Sequence, residues 1–336
     1  MKNKLITCEA VSHGHPDKMA DQIADYILDK LWKQDKNTRA GIEVMVKDHT
    51  IVLGGEVHTT AKVDYENAAK TAFLLNQFSD IHGFGEDTLN VINLIGVQSP
   101  EIHNAVDKKS GAIGAGDQGF VVGFASDETN SMMPLGHAIA RDICDRVIRY
   151  EYGPDAKSQV VMEYGAGGKC KVESVLVSVM TNGMPLDKVR ADITKCVKGI
   201  LVAYESPSVR ATTAEITVNP AGEWNVGGPI SDCGVTGRKL VVDAYGGYCN
   251  IGGGNFSGKD FSKIDRSGAY MARFLAKNIV AAGLASTAKV TLSYMIGVPE
   301  PCAANVELDG KNSKTASLVR KALENGLVDL TPRGMM

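Results

Sequence analysis

Apolar and polar residues alternate along this chain in a pattern that recurs three times. Each copy reads as a strand, an amphipathic helix, two paired strands, a second helix and a closing strand, the order β-α-β-β-α-β. In the first helix, Met19, Ile23 and Ile27 recur at a spacing of four, which places them on one helical face. Pro16 suits the first turn of that helix. The pattern predicts an α/β (α+β) protein in which amphipathic helices cover sheets in three similar domains.

The predicted elements follow the same order in each copy. The first copy has strands at 4–11, 41–47, 50–57 and 88–96, with helices at 16–32 and 63–78. The second has strands at 120–125, 158–164, 171–180 and 213–219, with helices at 135–150 and 186–204. The third has strands at 239–245, 289–297 and 304–308, with helices at 265–282 and 315–325, and it lacks a closing strand. We therefore expect domains at 1–98, 112–230 and 232–336, and the polar segment 98–112 is long enough to be a mobile lid.

Composition excludes several classes of protein. The chain has 336 residues, of which 44% are hydrophobic and 22% charged, as is usual for soluble globular proteins. A net charge of -3 argues against a nucleic-acid partner, and no apolar stretch reaches the roughly 20 residues of a membrane span. The seven cysteines are scattered without a CxxC pair, which favours reduced thiols and a cytoplasmic location.

Two short segments combine glycines, a cation and a carboxylate. Residues 14–18 read Gly-His-Pro-Asp-Lys, and residues 252–260 read GGGNFSGKD. Glycines let the backbone approach phosphate oxygens, cations neutralise those oxygens, and aspartates hold magnesium. Together the segments indicate one triphosphate site assembled from distant parts of the chain, although an aspartate at a helix start can also serve only the helix dipole.

Two further glycine patterns have simpler alternatives. Residues 114–119 (GAGDQG) fit GxGxxG, but a strand rather than a helix is predicted to follow them, so a dinucleotide fingerprint is disfavoured against a tight ligand loop or a plain turn. Residues 253–259 fit the GxxxxGK skeleton of a P-loop. However, Asp260 stands where Ser or Thr is needed, and the helix is predicted to start only near Asp265. A phosphate-directed loop and a solvent loop both remain open.

Taken together, these motifs resemble the S-adenosylmethionine synthetase (methionine adenosyltransferase) family. Residues 9–18 (EAVSHGHPDK) resemble its opening ESVSEGHPDK, residues 114–119 are its GAGDQG hexapeptide, and residues 252–258 resemble GGGAFSG. Segments 155–160, 232–239 and 277–284 are similar in register. The resemblance covers nearly the whole chain and implies three similar α/β domains about a pseudo-threefold axis, with a flexible gating loop at 98–112.

The resemblance also implies an activity. Methionine sulfur attacks C5′ of ATP and expels tripolyphosphate, which water then cleaves to phosphate and diphosphate. The products are S-adenosylmethionine, phosphate and diphosphate. The working unit is a homodimer with shared active sites, or a homotetramer of such dimers. Two Mg²⁺ ions and one K⁺ ion per site are the expected cofactors.

The resemblance carries roles to particular residues of this sequence. The catalytic group is His15, Lys157, Arg238 and Lys259. The ATP-binding group is His15, Asp117, Asp155, Lys157, Glu223, Trp224, Asp232, Arg238, Lys239, Asn255 and Lys259. The methionine-binding group is Glu56, Gln98, Asp232 and Lys263, and the metal ligands are Asp17 and Asp265 for Mg²⁺ and Glu43 for K⁺.

The chain departs from the family pattern at four points. Trp224 stands where an adenine-stacking Phe is usual, Asn255 replaces an Ala, Phe261 replaces a Pro, and the chain stops before the family's last elements. We expect Trp224 to stack on adenine, and Trp32 to be a spectroscopically silent residue at the end of the first helix. The alternatives are a P-loop-like ATP phosphotransferase and a non-catalytic paralogue of the family.

Overall fold

Three β-sheets, each covered on one face by helices, make up the described part of the chain. The structure is a computed structural model that describes residues 4–76, 78, 82–98, 113–309 and 313–335. Three hydrophobic cores lie between the helices and the sheets, one in each unit. The prediction of a repeated α/β architecture is therefore confirmed. Apart from Gln98, the predicted gating loop lies outside the described residues.

The first unit follows the predicted pattern closely. It comprises β1 (Lys4–Val11), α1 (Pro16–Gln34), β2 (Arg39–Lys47), β3 (Thr50–His58), α2 (Tyr65–Leu74), β4 (Asn90–Asn93) and β5 (Gly96–Val97). The second helix begins later than predicted because the Asp64 side chain caps it, accepting a hydrogen bond from the backbone N–H of Asn67 at 3.0 Å. It also ends earlier than predicted, at Leu74. The predicted strand at 88–96 is divided into two short strands that both pair with β3.

The second and third units repeat the arrangement. The second contains β6 (Gly119–Ser126), α3 (Leu135–Val147), β7 (Ala156–Tyr164), β8 (Cys170–Val179), α4 (Leu186–Tyr204), β9 (Val209–Arg210) and β10 (Glu215–Val218). The third contains β11 (Gly234–Val235), α5 (Leu240–Asp243), α6 (Ile264–Ala281), β12 (Thr287–Tyr294), β13 (Ala303–Leu308) and α7 (Ser313–Glu324). Within the described residues, no strand follows α7.

One predicted strand is wrong. Residues 239–245 form the single-turn helix α5 and a following turn instead of a strand. A short apolar run is ambiguous between helix and strand, and here the neighbouring backbone decides. Gly246 has a φ of 59° and packs against the Cys8 side chain, so the chain must turn rather than extend at this point. The first strand of the third unit is the two-residue β11, several residues earlier.

The first strand of each unit pairs with the sheet of another unit. The sheet orders are β11-β2-β3-β4, β1-β7-β8-β10 and β13-β12-β6. Thus β1 joins the second sheet, β6 joins the third, and β11 joins the first, always antiparallel to its neighbour. The three units are therefore linked in a closed cycle, which agrees with the expected pseudo-threefold arrangement. The segments that follow these exchanged strands lie at the junctions between units.

Close packing of β6 on α6 gives a test of this architecture. A Cβ atom at Gly123 would overlap the backbone of Ala272 in α6. We therefore expect Gly123→Ala to lower the free energy of unfolding by about 1–3 kcal/mol, the usual cost of overpacking. The measurement is chemical denaturation followed by circular dichroism.

Gly199→Ala is the matched control, because a Cβ at this position in α4 meets open space. We expect it to raise the free energy of unfolding by about 0.5–1 kcal/mol, since alanine favours helix over glycine. Equal effects of the two substitutions would contradict the close helix–strand approach.

Candidate active site

The N-terminus of α1 is held at the junction between the first and second units. The Ser12 hydroxyl donates to the carbonyl of Pro154 at 2.6 Å and accepts from the N–H of Ala156 at 2.8 Å. The chain then turns into α1, whose N-cap is His15. The Nδ1 atom of His15 accepts a hydrogen bond from the backbone N–H of Asp17 at 3.1 Å. These contacts bring the first glycine segment next to β7.

His15 is a buried, neutral histidine beside two cations. It is 1% exposed, and burial together with the nearby charges of Lys157 and Lys239 lowers its pKa from 6.5 to about 3. Because Nδ1 already accepts a hydrogen bond, the proton of the neutral ring lies on Nε2. His15 can therefore donate a hydrogen bond to an anionic oxygen without carrying a charge of its own.

Asp17 connects α1 to the segment before α5. The Lys239 ammonium donates to Asp17 Oδ2 at 2.5 Å, and the N–H of Val235 donates to Oδ1 at 2.9 Å. The Nε atom of Arg238 lies 3.7 Å from Oδ1. Burial alone would raise the pKa of Asp17, but the Lys239 hydrogen bond and its charge outweigh burial, so the pKa is lowered. The carboxylate is therefore ionised and partly neutralised at its lysine side.

Asp155 and Lys157 lie at the start of β7, next to His15. No hydrogen bond or ion pair engages the Lys157 ammonium among the described residues, so it is available for an anionic ligand. Asp155 is buried, and its Oδ2 accepts from the N–H of Gly228 at 2.8 Å, while Oδ1 has no partner. Burial raises the pKa of Asp155 from 3.8 to about 6.

The second glycine segment pairs with β2 before α6 begins. The N–H of Ile42 donates to the carbonyl of Gly258 at 3.0 Å, and Lys259 forms a bridge to Gly41. The Lys259 ammonium donates to Asp265 Oδ2 at 2.6 Å, and Asp265 lies in the first turn of α6. The segment thus holds a second lysine–carboxylate pair near the edge of the first sheet.

The P-loop interpretation is wrong for this segment. In a P-loop the helix starts at the lysine, whereas α6 begins at Ile264, five positions after Lys259. Likewise, residues 114–119 lead into strand β6 and not into a helix, so the dinucleotide fingerprint is absent there. The N–H of Gly116 instead donates to the carbonyl of Ser262 at 2.8 Å. This hydrogen bond places the hexapeptide beside residues 258–263, the lysine segment, which carries Lys259 and Lys263.

Glu43 lies on the face of β2 that α1 does not cover. Its carboxylate accepts hydrogen bonds from the hydroxyl of Thr236 and from the Asn255 amide, the latter at 3.4 Å. Thr236 immediately follows Val235, which binds Asp17, so the segment 234–239 contacts both acidic residues. Thr236 was not expected from the sequence, because nothing near it in the chain indicates a carboxylate partner.

The other residues expected to bind ATP or methionine, Glu56, Gln98, Asp117 and Lys263, lie in separate elements. Glu56 is on β3, opposite Gly41, and the buried Gln98 follows β5, with its N–H 3.4 Å from the carbonyl of Val57. Asp117 is exposed. Lys263 pairs with Asp260 at 2.6 Å. The sequence pattern already marks Asp260 as the carboxylate of the second glycine segment, and the structure adds its lysine partner.

In segment 223–232, few contacts hold the side chains that are expected to bind the nucleoside. The Trp224 indole is half-buried and donates to the carbonyl of Val226 at 2.7 Å. Glu223 and Asp232 are exposed. Stacking of Trp224 on adenine stays a prediction.

Trp32, which was expected to be silent, packs edge-to-face on Phe261 with ring centroids 5.1 Å apart. Phe261 lies between Lys259 and Lys263, so this second tryptophan contacts the lysine segment.

The fold and this arrangement of lysines, carboxylates and a helix-capping histidine define a family of three-unit α/β enzymes. The family model of the S-adenosylmethionine synthetase N-terminal domain matches residues 3–100, that of the central domain 112–224, and that of the C-terminal domain 226–336.

Similar proteins of known name agree with this assignment. The S-adenosylmethionine synthase of Mycoplasmopsis pulmonis is 40% identical over 345 residues, which cover 100% of this chain and 89% of the relative. That of Brachyspira hyodysenteriae is 39% identical over 355 residues, with 100% and 89% covered. The solved structure of an unusual S-adenosylmethionine synthetase from Campylobacter jejuni matches with a TM-score of 0.85 and 36% identity, covering 98% of this chain and 88% of that one. The chain belongs to the S-adenosylmethionine synthetase family, the methionine adenosyltransferases.

The burial of Asp155 leads to a test by pH. Its pKa is raised from 3.8 to about 6 in the folded state, so folding becomes less favourable as the pH rises through that interval. Well above pH 6, where the carboxyl is ionised in both states, the cost is constant and on the order of 3 kcal/mol. We expect Asp155→Asn, without ligand, to be more stable than the wild type at pH 8, and this advantage to shrink by pH 4. Urea denaturation at both pH values measures it, and a difference that does not vary with pH would contradict the assignment.

Proposed function

We propose that this chain forms S-adenosylmethionine from ATP and L-methionine and then hydrolyses the tripolyphosphate to phosphate and diphosphate. The single observation that carries the proposal is the meeting of Lys157 and Lys239 at the buried, neutral His15 that caps α1. A helix N-terminus, two ammonium groups and an imidazole donor together favour a highly charged phosphate chain.

The transfer of the adenosyl group to methionine requires stabilisation of the leaving group and no general base. The thioether sulfur of methionine carries no proton, so its attack on C5′ requires alignment and neutralisation of the departing tripolyphosphate. His15 Nε2 donates to an oxygen next to the breaking bond. Lys157, Arg238, Lys239 and Lys259 bind the phosphates. Two of these lysines form ion pairs with carboxylates, Lys239 with Asp17 and Lys259 with Asp265.

The residues fit the expected magnesium ions. Asp17 and Asp265 each supply carboxylate oxygens, and Mg²⁺ is usually bound by one or two carboxylates together with substrate phosphates. Within the described residues, no cluster of three or more His, Cys, Asp or Glu side chains could hold a metal without substrate. When bound, two Mg²⁺ ions per site would neutralise the tripolyphosphate further. The lysines paired with these aspartates would then be free to hold phosphate oxygens.

For K⁺, oxygen ligands gather around Glu43. Its carboxylate lies beside the Thr236 hydroxyl and the Asn255 amide, which also offers an oxygen. Hard cations favour such oxygen donors. Glu43 would hold one K⁺ per site, close to the segment that carries Arg238 and Lys239.

The remaining residues bind the two substrates. Lys263, Glu56, Gln98 and Asp232 bind methionine, with Lys263 facing its carboxylate. The nucleoside contacts Asp117, Asp155, Glu223, Trp224, Asp232 and Asn255. The unpartnered Oδ1 of Asp155 supports this role, because a buried acceptor without a donor is costly and a ribose hydroxyl would supply one.

A homodimer with shared active sites is the proposed working unit. The strand faces that helices leave uncovered carry exposed apolar side chains, among them Leu5 on β1 and Met45 on β2, which are 62% and 41% exposed. Met45 shares its face with Glu43 two positions earlier, so a second copy seated there would border the site. A homotetramer of such dimers is the larger alternative.

The setting proposed for this enzyme is the cytoplasm. All seven cysteines are free, which favours a reducing compartment. None of the helices in the described ranges has the length and apolar character needed to cross a bilayer. We propose no membrane or nucleic-acid partner.

A direct assay tests the function. The chain is incubated with ATP, methionine, Mg²⁺ and K⁺, and the products are identified by mass spectrometry and phosphate analysis. We expect S-adenosylmethionine, phosphate and diphosphate. Formation of ADP would instead favour a phosphotransferase, and no product at all would favour a non-catalytic paralogue.

His15→Ala should lower turnover by about two to three orders of magnitude, the scale of removing a preorganised donor to a developing anion. The methionine KM should change little, because His15 contacts the leaving group. Steady-state kinetics with varied methionine measure both. A variant with more than half of the wild-type turnover would show that His15 serves only as a helix cap.

Titrations of activity with Mg²⁺ and with K⁺ distinguish the proposed magnesium ligands from the proposed potassium ligand. Asp17→Asn and Asp265→Asn should each raise the Mg²⁺ concentration needed for half-maximal activity by about tenfold or more, since each removes an anionic oxygen. Glu43→Gln should leave the Mg²⁺ curve in place and abolish activation by K⁺. Magnesium curves that overlay the wild type in both aspartate variants would exclude these residues as ligands.

A further inference from the structure

We propose that Asp260 is a positioning residue for methionine, and that it acts by holding the ammonium of Lys263. This inference rests on the proposed function, in which Lys263 faces the methionine carboxylate. Asp260 stands between Lys259 and Lys263, one cation on the phosphate side of the site and one on the methionine side. Its side chain is fully buried, whereas the Lys263 side chain is 13% exposed.

The backbone of the lysine segment is attached to β2 on both sides of Lys259. Gly258 accepts from the N–H of Ile42 at 3.0 Å, and the N–H of Asp260 donates to the carbonyl of Ala40 at 3.2 Å. This pairing extends the first sheet by a short stretch of the third unit. The position of Asp260 relative to β2 is therefore fixed by main-chain contacts before its side chain is considered.

Three donors point at the Asp260 carboxylate. Oδ2 accepts from the N–H of Ala40 at 2.7 Å and from the Lys263 ammonium at 2.6 Å, and Oδ1 accepts from the N–H of Ser262 at 2.8 Å. Both oxygens must therefore be acceptors, which only a carboxylate provides. An asparagine would have to turn its NH₂ group towards one of these donors, so it cannot satisfy all of them.

The Lys263 ammonium donates to Asp260 and keeps further N–H groups for a ligand. Of its three N–H groups, one is directed at Asp260, and the others have no partner in the part of the chain that the structure describes. A lysine side chain has many rotamers, and fixing them costs free energy when substrate binds. Because the hydrogen bond to Asp260 already restricts these rotamers in the folded protein, Lys263 is oriented for a substrate carboxylate before methionine binds.

Asp25, on α1, serves as the control because it contacts the same segment. Its Oδ1 accepts from the N–H of Gly258 at 2.9 Å, and its carboxylate binds the Arg266 guanidinium at 2.8 and 3.2 Å. Like Asp260, it anchors the lysine segment through a backbone N–H and a cation. Unlike Asp260, it does not contact Lys263, so a merely structural role would be shared by both aspartates.

The experiment compares Asp260→Asn and Asp25→Asn in the full chain. We expect Asp260→Asn to raise the methionine KM by about tenfold, the scale of a lost hydrogen bond to a charged group. Asp25→Asn should leave that KM within about twofold of the wild type, a shift too small to represent a full hydrogen bond. Hydrolysis of added tripolyphosphate, which needs no methionine, should fall no more in Asp260→Asn than in Asp25→Asn.

A double-mutant cycle identifies Lys263 as the group through which Asp260 acts. Lys263→Met alone should raise the methionine KM by about ten- to a hundredfold. Adding Asp260→Asn to Lys263→Met should then cause no further increase, because the ammonium that Asp260 holds is gone. Independent, multiplying effects would refute the positioning role, as would equal KM changes in Asp260→Asn and Asp25→Asn.

Two controls keep the result interpretable. Circular dichroism and thermal melting check that each variant folds, and Asp260→Glu replaces Asp260→Asn if the latter does not. The longer side chain keeps the negative charge but displaces it, so it should also raise the methionine KM, and an unchanged KM would refute the proposal. A wild-type chain that makes no S-adenosylmethionine would refute the proposed function and this inference with it. Normal synthesis with additive effects would refute the inference alone.

Discussion

The exchange of first strands between units is the constraint on which the rest of this structure depends. Because β1 pairs with β7 of the next unit, the chain must pass from the second sheet back to α1, and this passage carries Ser12 and His15. Because β11 pairs with β2, the segment 234–239 lies between Asp17 and Glu43. Antiparallel pairing fixes the register of each crossing, so the site residues are positioned by sheet hydrogen bonds rather than by free loops.

A second constraint is electrostatic. A site for a triphosphate needs several cations close together, and such a group repels itself when no ligand is bound. In this chain each of three lysines forms an ion pair that relieves such repulsion: Lys239 with Asp17, Lys259 with Asp265 and Lys263 with Asp260. Asp17 and Asp265 are candidate metal ligands, whereas Asp260 accepts hydrogen bonds from three donors of the protein itself. These acidic residues thus lower the repulsion among the lysines of the candidate site.

Local patterns in the sequence predicted most of the fold. The α1 and α6 helices have apolar residues at helical spacing, and their predicted bounds agree with the structure to within two residues. The prediction of a strand at residues 239–245 was wrong because a short apolar run fits either a helix or a strand. The strand exchange could not be predicted, since the choice of a distant partner leaves no mark on local periodicity. The glycine motifs and the family resemblance gave the candidate site, but the pairing of Thr236 with Glu43 depends on a contact between residues far apart in the chain.

The contact between Trp32 and Phe261 gives the protein an intrinsic optical probe of its lysine segment. Indole emission depends on the polarity and motion of nearby groups, and Trp32 also has the ammonium of Lys36 over its ring at 5.4 Å. Movement of Phe261 would therefore change the emission of a residue that belongs to α1. Because the chain has two tryptophans, Trp224 in segment 223–232 and Trp32 beside the lysine segment, emission spectra of single-tryptophan variants can follow these two regions without an added dye.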